Sequence, residues 1–391
     1  MFKGIKTVLF LFFLNLIQTS FAQSGILFSE TGLKTALELG KSENKPIMLW
    51  CYATWCPHCK YMKAEVFPNL RVADFFNRNF VTVAQDMEKG EGIELNKELK
   101  ISSFPTFIFY NTKGEIIFRI EGELKPTAFI TEGKNALTPQ KQLPYLKEKF
   151  EKDIRNSENC FEYIRALKKG GMDLSEPVNQ YFTTQTDKQL LSEENWRIFS
   201  NGISDFNSRV FQFVIGHQKE YSDIASPERV KHKLDYEVKA LLSPLVEVTD
   251  TINYPIKREQ AAKIQSYSTD SLIFNYDLKI WEFSHNWQKY AECCLQSADK
   301  FSSNNPAKLS EIAGNFLKHI EKPAFMQQAL HWANRSLVLD EEYDTYLLCA
   351  KLYIKLKDSP NALKMSKNAK NLARKFGWEG TEAEQLLKEI H

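Results

Sequence analysis

Trp55-Cys56-Pro57-His58-Cys59-Lys60 sets two cysteines two residues apart, and Ser103-Phe104-Pro105-Thr106 is its distant companion. Such a pair serves as a redox centre, as part of a metal site or as a structural staple. The surroundings decide. Ahead of it, Ile47-Met48-Leu49-Trp50-Cys51-Tyr52 is an apolar run long enough for a buried strand. Behind it, Lys60 to Phe67 reads as a helix with Met62, Val66 and Phe67 on one face. A strand–CxxC–helix junction puts the first sulfur at a helix N-terminus, where unpaired N–H groups and the macrodipole favour a thiolate. A structural zinc site wants four ligands, usually a second CxxC or paired histidines. The other cysteines stand at 51, 160, 293, 294 and 349 and the seven histidines are scattered, so no metal site is expected. An inert staple is also disfavoured, because a two-residue loop at such a junction closes little that the backbone does not already hold.

These residues resemble the thioredoxin superfamily. Trp55-Cys56-x-x-Cys59-Lys60 matches its active-site motif, and Ser103-Phe104-Pro105-Thr106, ahead of Phe107-Ile108-Phe109-Tyr110, matches its cis-proline segment. Within the superfamily the chain is similar to the thioredoxin-like group that holds the C-terminal periplasmic domain of the transmembrane reductant carrier DsbD. That pattern runs through Val66-Phe67, Val72-Ala73, Asn79-Phe80-Val81, Asp86 and Asn111-Thr112-Lys113-Gly114, over roughly residues 28–135. The resemblance implies an α/β thioredoxin fold, a central mixed sheet with helices on both faces. It also implies that Pro105 is cis and lies against the disulfide, with Phe104 and Thr106 beside it, offering backbone groups to an extended substrate. Thioredoxins carry a buried acid six residues before the first cysteine. Here that position is Trp50, and neither Glu65 nor Asp86 can be assigned its proton-accepting role beside Cys59.

The order of elements from 24 to 136 agrees with that fold. Gly32 to Leu39 reads as a helix ended by Gly40, Val72 to Phe76 as a short helix, and Phe80 to Ala84 as a strand. Ile93 to Leu99 is helical, 107–110 and 116–120 form a hairpin across a turn, and Pro126 opens a final helix. Residues 137–144, with two prolines and no periodicity, read as a linker.

Residues 1–22 read as a secretory leader: Lys3 and Lys6, an apolar core from Val8 to Ile17, and Ser20-Phe21-Ala22 as a cleavage signature. A membrane span needs about 20 apolar residues, which sets an uncleaved anchor second. The expected product starts at Gln23, exported and soluble, periplasmic in a Gram-negative host. The chain has 51 basic and 49 acidic residues; the leader holds two lysines and no acid, leaving 49 against 49. A neutral protein has no net field to gather nucleic acid, so nucleic-acid binding is not expected.

From 145 to 391 every pattern is helical. Ser226 caps, Pro227 takes the first helical position, and Val230, Leu234, Val238 and Leu241 share a face. Gly170-Gly171, Pro177, Gly202 and Pro244 divide the region into helices of ordinary length. Ala313, Phe316, Leu317, Ile320, Ala329 and Ser336 return 33 residues later as Tyr346, Cys349, Ala350, Tyr353, Ala362 and Ala369. That spacing, at about 313–378, resembles degenerate tetratricopeptide repeats, with a poorer copy at 268–300. An unrelated helical bundle is the alternative. Cys51 and Cys349 read as buried small apolar residues, and Cys160 could pair with Cys293 or Cys294.

Thiol–disulfide exchange needs an attacking thiolate and a resolving thiol. Cys56, exposed at the helix start, takes the first role and Cys59, one turn inside, the second. Trp55 is expected to shield the pair or to be ordinary core. Pro57, His58 and Lys60 tune it. A protonated His58 close to the Cys56 thiolate would favour the reduced form and make the pair more oxidising; a solvent-facing histidine without effect is the alternative. Pro-His also resembles DsbA-type oxidases, but only 49 positions separate Cys56 from Pro105, with no room for the helical domain those proteins carry there. The direction of transfer stays open. The expected partners are protein thiol or disulfide clients, a membrane-embedded electron donor or acceptor, and a protein held by the helical region; no cofactor is expected. The rival function is a helical scaffold binding an envelope or secreted protein, with the thioredoxin domain as a redox-sensitive tether. Peroxide reduction is weaker, since Cys56 lacks the peroxidase motif.

Overall fold

Pro46 opens a run with no charged residue between Ile47 and Tyr52, and such a run is stable only where both faces of a strand are covered. The computed structural model describes residues 25–29, 32–203 and 205–390, and the leader reading for 1–22 lies outside them. Among the described residues the strands are β1 (Phe28–Ser29), β2 (Ile47–Tyr52), β3 (Val81–Asp86), β4 (Thr106–Tyr110) and β5 (Ile116–Glu121). They form one sheet in the order β1-β3-β2-β4-β5. β3 runs parallel to β1 and β2, while β4 is antiparallel to β2 and β5. The result is the mixed sheet expected, with β2 at its centre.

The strand alternation divides the core into two layers. Met48 and Trp50 of β2 join Phe107 and Phe109 of β4 in one. Val72 and Phe76 of α3 (Leu70–Asn79) and Phe129 and Ala136 of α5 (Pro126–Ala136) cover that side. Ile47, Leu49 and Cys51 face the other, with Ala36 of α1 (Gly32–Glu43) and Leu95 and Leu99 of α4 (Gly92–Leu99). The helix α2 (Pro57–Tyr61) passes into a π-helical turn, Met62–Val66, whose Met62 and Val66 are buried. Asn69 starts α3, its side-chain oxygen accepting from the Arg71 and Val72 amides at 3.1 and 3.3 Å.

Gly40 does not end α1. The helix runs on to Glu43 and stops at Asn44, which has φ +53°. Gly40 lies instead where a Cβ would come within 2.5 Å of the Ile47 side chain, so the glycine lets the helix close onto β2.

Contacts divide the chain into two compact units, one ending at Ile203 and the other following it. The stretch 137–144 holds a 3-10 turn, Pro139–Lys141, and the start of α6 (Leu143–Lys152), with Leu143 buried. The first unit then adds α7 (Ser157–Lys169), α8 (Ser175–Thr183), α9 (Asp187–Leu190) and α10 (Glu193–Gly202). Both α6 and α7 contact β5. At the end of α7, a Cβ on Gly170 would lie 3.1 Å from the Arg119 side chain of β5. Arg119 is itself buried and donates to the Leu99 and Lys100 carbonyls at 2.7 and 3.3 Å. Pro177 falls in the first turn of α8 and does not break it, because that turn has no carbonyl waiting for its N–H.

The second unit opens with α11 (Arg209–Gly216), α12 (Gln218–Ile224), α13 (Pro227–Glu247) and α14 (Tyr254–Ala262). Three helix pairs follow: α15 (Tyr267–Phe283) with α16 (Trp287–Phe301), α17 (Pro306–His319) with α18 (Pro323–Leu339), and α19 (Tyr343–Lys355) with α20 (Ser359–Phe376). The short α21 (Thr381–Glu389) comes last. The second helices of the pairs begin at Trp287, Pro323 and Ser359, 36 residues apart, a longer step than the 33 in the side-chain pattern. Small residues of that pattern, Ala313, Ala329, Ala350, Ala362 and Ala369, are fully buried. Pro244 lies inside α13, which continues to Glu247, and Leu242 is the buried neighbour where Leu241 was expected. The same face buries an ion pair, Lys233 Nζ to Glu237 Oε1 at 2.5 Å, that no apolar periodicity announces. Asp277 of α15 is likewise buried; it accepts from the Tyr254 hydroxyl at 2.8 Å and from Arg258 Nε at 2.9 Å, tying α14 to α15.

All seven cysteines are thiols. Cys51 and Cys349 are fully buried, and so is Cys160 within α7. Burial pushes the Cys160 and Cys349 thiols up to about 12. Phe129 is the centre of the first layer, 4.3 Å from the Phe76 ring and 4.8 Å from that of Phe107. Phe129→Ala is expected to lower the unfolding free energy of the first unit by about 3–5 kcal/mol. Leu39→Ala, on an exposed helix face, should stay within about 0.5 kcal/mol. Urea midpoints followed by tryptophan fluorescence check the contrast.

Candidate redox-active site

The antiparallel register of β2 and β4 pairs Cys51 with Thr106, so the end of β2 and the start of β4 lie side by side. The chain leaving β2 reaches Cys56, the N-cap of α2, with φ −66° and ψ 119°. Pro57 takes the first helical position, where an amide would have no helical acceptor. The chain entering β4 arrives through the Phe104–Pro105 peptide, which is cis. Thr106 Oγ1 donates to the Ser103 carbonyl at 2.8 Å, and the Gly122 amide to the Pro105 carbonyl at 2.8 Å. The two motifs, 49 positions apart in sequence, thus meet where the central strand β2 ends and its neighbour β4 begins.

The Cys56 sulfur is held from two sides. It accepts from the Cys59 amide at 3.3 Å and donates its S–H to the Phe104 carbonyl at 3.4 Å. Cys56 is no more exposed than Cys59; each is 3% exposed. Accessibility therefore does not separate the two thiols, contrary to the expectation for Cys56. The Cys59 thiol is nonetheless pushed up to about 12, first by burial and also by its hydrogen bond with Cys56, against the opposing pull of a backbone hydrogen bond from Ala53.

Trp50 occupies the position of the absent acid. It is buried in the same apolar cluster as both cysteines and stacks on Tyr52 at 4.5 Å, and its indole N–H has no acceptor among the described residues. Glu65 is exposed. Asp86 is occupied by Lys89 Nζ at 3.0 Å and by the Glu88 amide at 3.1 Å. Among the described residues, no carboxylate hydrogen-bonds Cys59.

Trp55 is not core. It is 62% exposed, meets the half-buried Phe104 edge-on at 6.3 Å and donates to Glu88 Oε2 at 2.7 Å. Pro57 and Lys60 are exposed; Thr106 is fully buried, with its hydroxyl turned inward to Ser103. His58 is 61% exposed, and its Nδ1 lies 2.8 Å from Glu123 Oε2. Neither Glu88 nor Glu123 carries a sequence signal, since they come to the dithiol from 33 and 65 residues away.

A thiol pushed up to about 12 is neutral at about pH 7, and its thiolate grows only as pH climbs toward that value. Iodoacetamide on the reduced, folded protein at about pH 7 is therefore expected to label Cys56 ahead of Cys59, with Cys59 labelling still rising at the alkaline limit of folding. Peptide mapping reads this. Equal labelling of the two thiols at about pH 7 would contradict it.

The family model of a thioredoxin-like domain matches residues 33–137. DsbD of Vibrio cholerae is 33% identical over 102 residues, which is 25% of this chain and 17% of that protein. Mouse protein disulfide-isomerase A5 is 29% identical over 106 residues, 27% of this chain and 20% of its own length. The chain thus spans under a fifth of the length of the first DsbD relatives it matches. Among solved structures, a candidate disulphide-isomerase of Bacteroides thetaiotaomicron is 38% identical, with 29% of this chain and 94% of that one covered and a TM-score of 0.28. The oxidised C-terminal domain of Neisseria meningitidis DsbD is 24% identical, with 28% and 98% covered and a TM-score of 0.25. Residues 33–137 of this chain are a thioredoxin-like domain, similar in sequence to part of DsbD, and a mostly helical region follows it.

Proposed function

We propose that the chain is an exported thiol–disulfide oxidoreductase that acts on protein clients through the Cys56–Cys59 pair. The observation that carries this is the Cys56 sulfur held between the Cys59 amide and the Phe104 carbonyl, beside Pro105. In the reducing direction, the Cys56 thiolate attacks one sulfur of a client disulfide. A Cys56–client bond forms, and the other client sulfur leaves as a thiolate and takes a proton. Cys59 then loses its proton and attacks Cys56 Sγ, which releases the second client thiol. The client gains two electrons and two protons, and the enzyme ends as the Cys56–Cys59 disulfide. A membrane-embedded donor would restore the dithiol by the same steps reversed. Lacking a hydrogen-bonded carboxylate, Cys59 gives up its proton to water or to the departing client thiolate.

The role of the helical region is client selection. Its stacked helix pairs, with small residues buried where helices cross, resemble a tetratricopeptide array. The leader reading of 1–22 supports export, with a mature N-terminus at Gln23 that mass spectrometry of the secreted product would detect.

Cys56→Ser is expected to abolish reduction of a model protein disulfide, while Cys59→Ser should accumulate a mixed disulfide visible on non-reducing gels. Turnover surviving in the Cys56 variant would overturn the assignment. Unchanged partner capture by the full chain lacking both cysteines, with no loss of turnover-dependent function, would favour the scaffold reading.

A further inference from the structure

His58 stands between the two cysteines, and its partner is fixed by the architecture. Glu123 lies in the connection from β5 to α5. The residue before it, Gly122, has φ +92°, and its amide donates to the Pro105 carbonyl at 2.8 Å. The residue after it, Leu124, aims its amide at the Met62 sulfur at 3.4 Å, just past α2. The backbone on both sides of Glu123 is therefore tied to the two elements that build the site, one to the Pro105 turn and one to the helix that starts at Cys56. Its carboxylate meets His58 Nδ1 at 2.8 Å. As a contribution to stability this pair is small, since both side chains are about half exposed. Its effect on the dithiol is electrostatic. An imidazolium beside the Cys56 thiolate favours the reduced form. A carboxylate hydrogen-bonded to that imidazolium offsets its charge and so weakens the support it gives the thiolate.

We propose that Glu123 is a positioning residue for the Cys56–Cys59 couple: it holds His58, offsets its charge, and sets the pair toward the reductant side of exchange. This rests on the dithiol reading above. The contact offsets part of the pull that a charged His58 would exert toward a more oxidising couple.

The test is equilibration of the full mature chain with reduced and oxidised glutathione, together with the iodoacetamide rate at Cys56 at one fixed pH. Glu123→Gln keeps the side-chain shape and removes the charge. It is expected to raise the constant for protein disulfide plus two glutathiones going to protein dithiol plus glutathione disulfide by about threefold. That is ~14 mV toward a more oxidising couple, at 29.6 mV per tenfold. The Cys56 alkylation rate should rise with it. The same substitution in a His58→Ala background should change both readouts much less, because the route through the imidazole is gone. An unchanged constant and rate in Glu123→Gln would overturn the assignment, and so would an equal effect with and without His58. A pair that never equilibrates with glutathione would overturn the dithiol reading itself, and Glu123 with it. The two failures are thus distinct.

Discussion

The antiparallel pairing of β2 with β4, from Ile47–Tyr110 to Cys51–Thr106, is the constraint on which the site depends. It fixes how far the dithiol stands from the Pro105 turn. A slip of one residue would turn Trp50 and Met48 out of their aromatic layer and carry Cys51 into it. The apolar content of both strands forbids that, since each side of β2 is buried against a different set of helices. The geometry of the candidate site is thus held by apolar side chains outside the dithiol. Phe107 and Phe109 specify the position of Phe104 by being unable to sit anywhere else.

The dithiol, the proline turn and most strands and helices of the first domain were legible in the sequence because each rests on a local signal. The CxxC motif, the hairpin turn and the periodicity of two or 3.6 all lie within a few residues. What could not be read depends on partners far along the chain. Gly40 looked like a stop, but its role is set by Ile47 across a helix–strand contact. The core reading of Trp55 fails because Phe104 and Glu88 hold it at the surface. Glu123 reaches His58 from 65 residues away, and no spacing rule connects them. The buried Lys233–Glu237 pair escaped for another reason: charged residues at helical spacing normally mark a solvated face.

Pro244 teaches a related lesson in the second unit. Proline in a helix interior usually ends or kinks the helix, yet α13 continues one turn beyond it. That continuation lies close to the helix end, so little helix follows the amide that is lost. The burial of small residues in α17 to α20 was visible in the sequence, while the 36-residue step between successive second helices was not. Side-chain patterns record which positions touch; loop lengths set how often the backbone returns.

The placement of α6 and α7 against β5 bears on how an extended polypeptide could approach. A sheet offers its backbone to strangers along its outermost strands. Here one outermost strand, β5, is covered by helices from the same unit, and the other, β1, is two residues long. Neither margin presents a long ladder of free amides and carbonyls, which limits promiscuous strand addition and the self-association that follows from it. On the function proposed above, a client in extended form would meet the backbone just ahead of the Pro105 turn, where the Phe104 carbonyl lies 3.4 Å from the Cys56 sulfur.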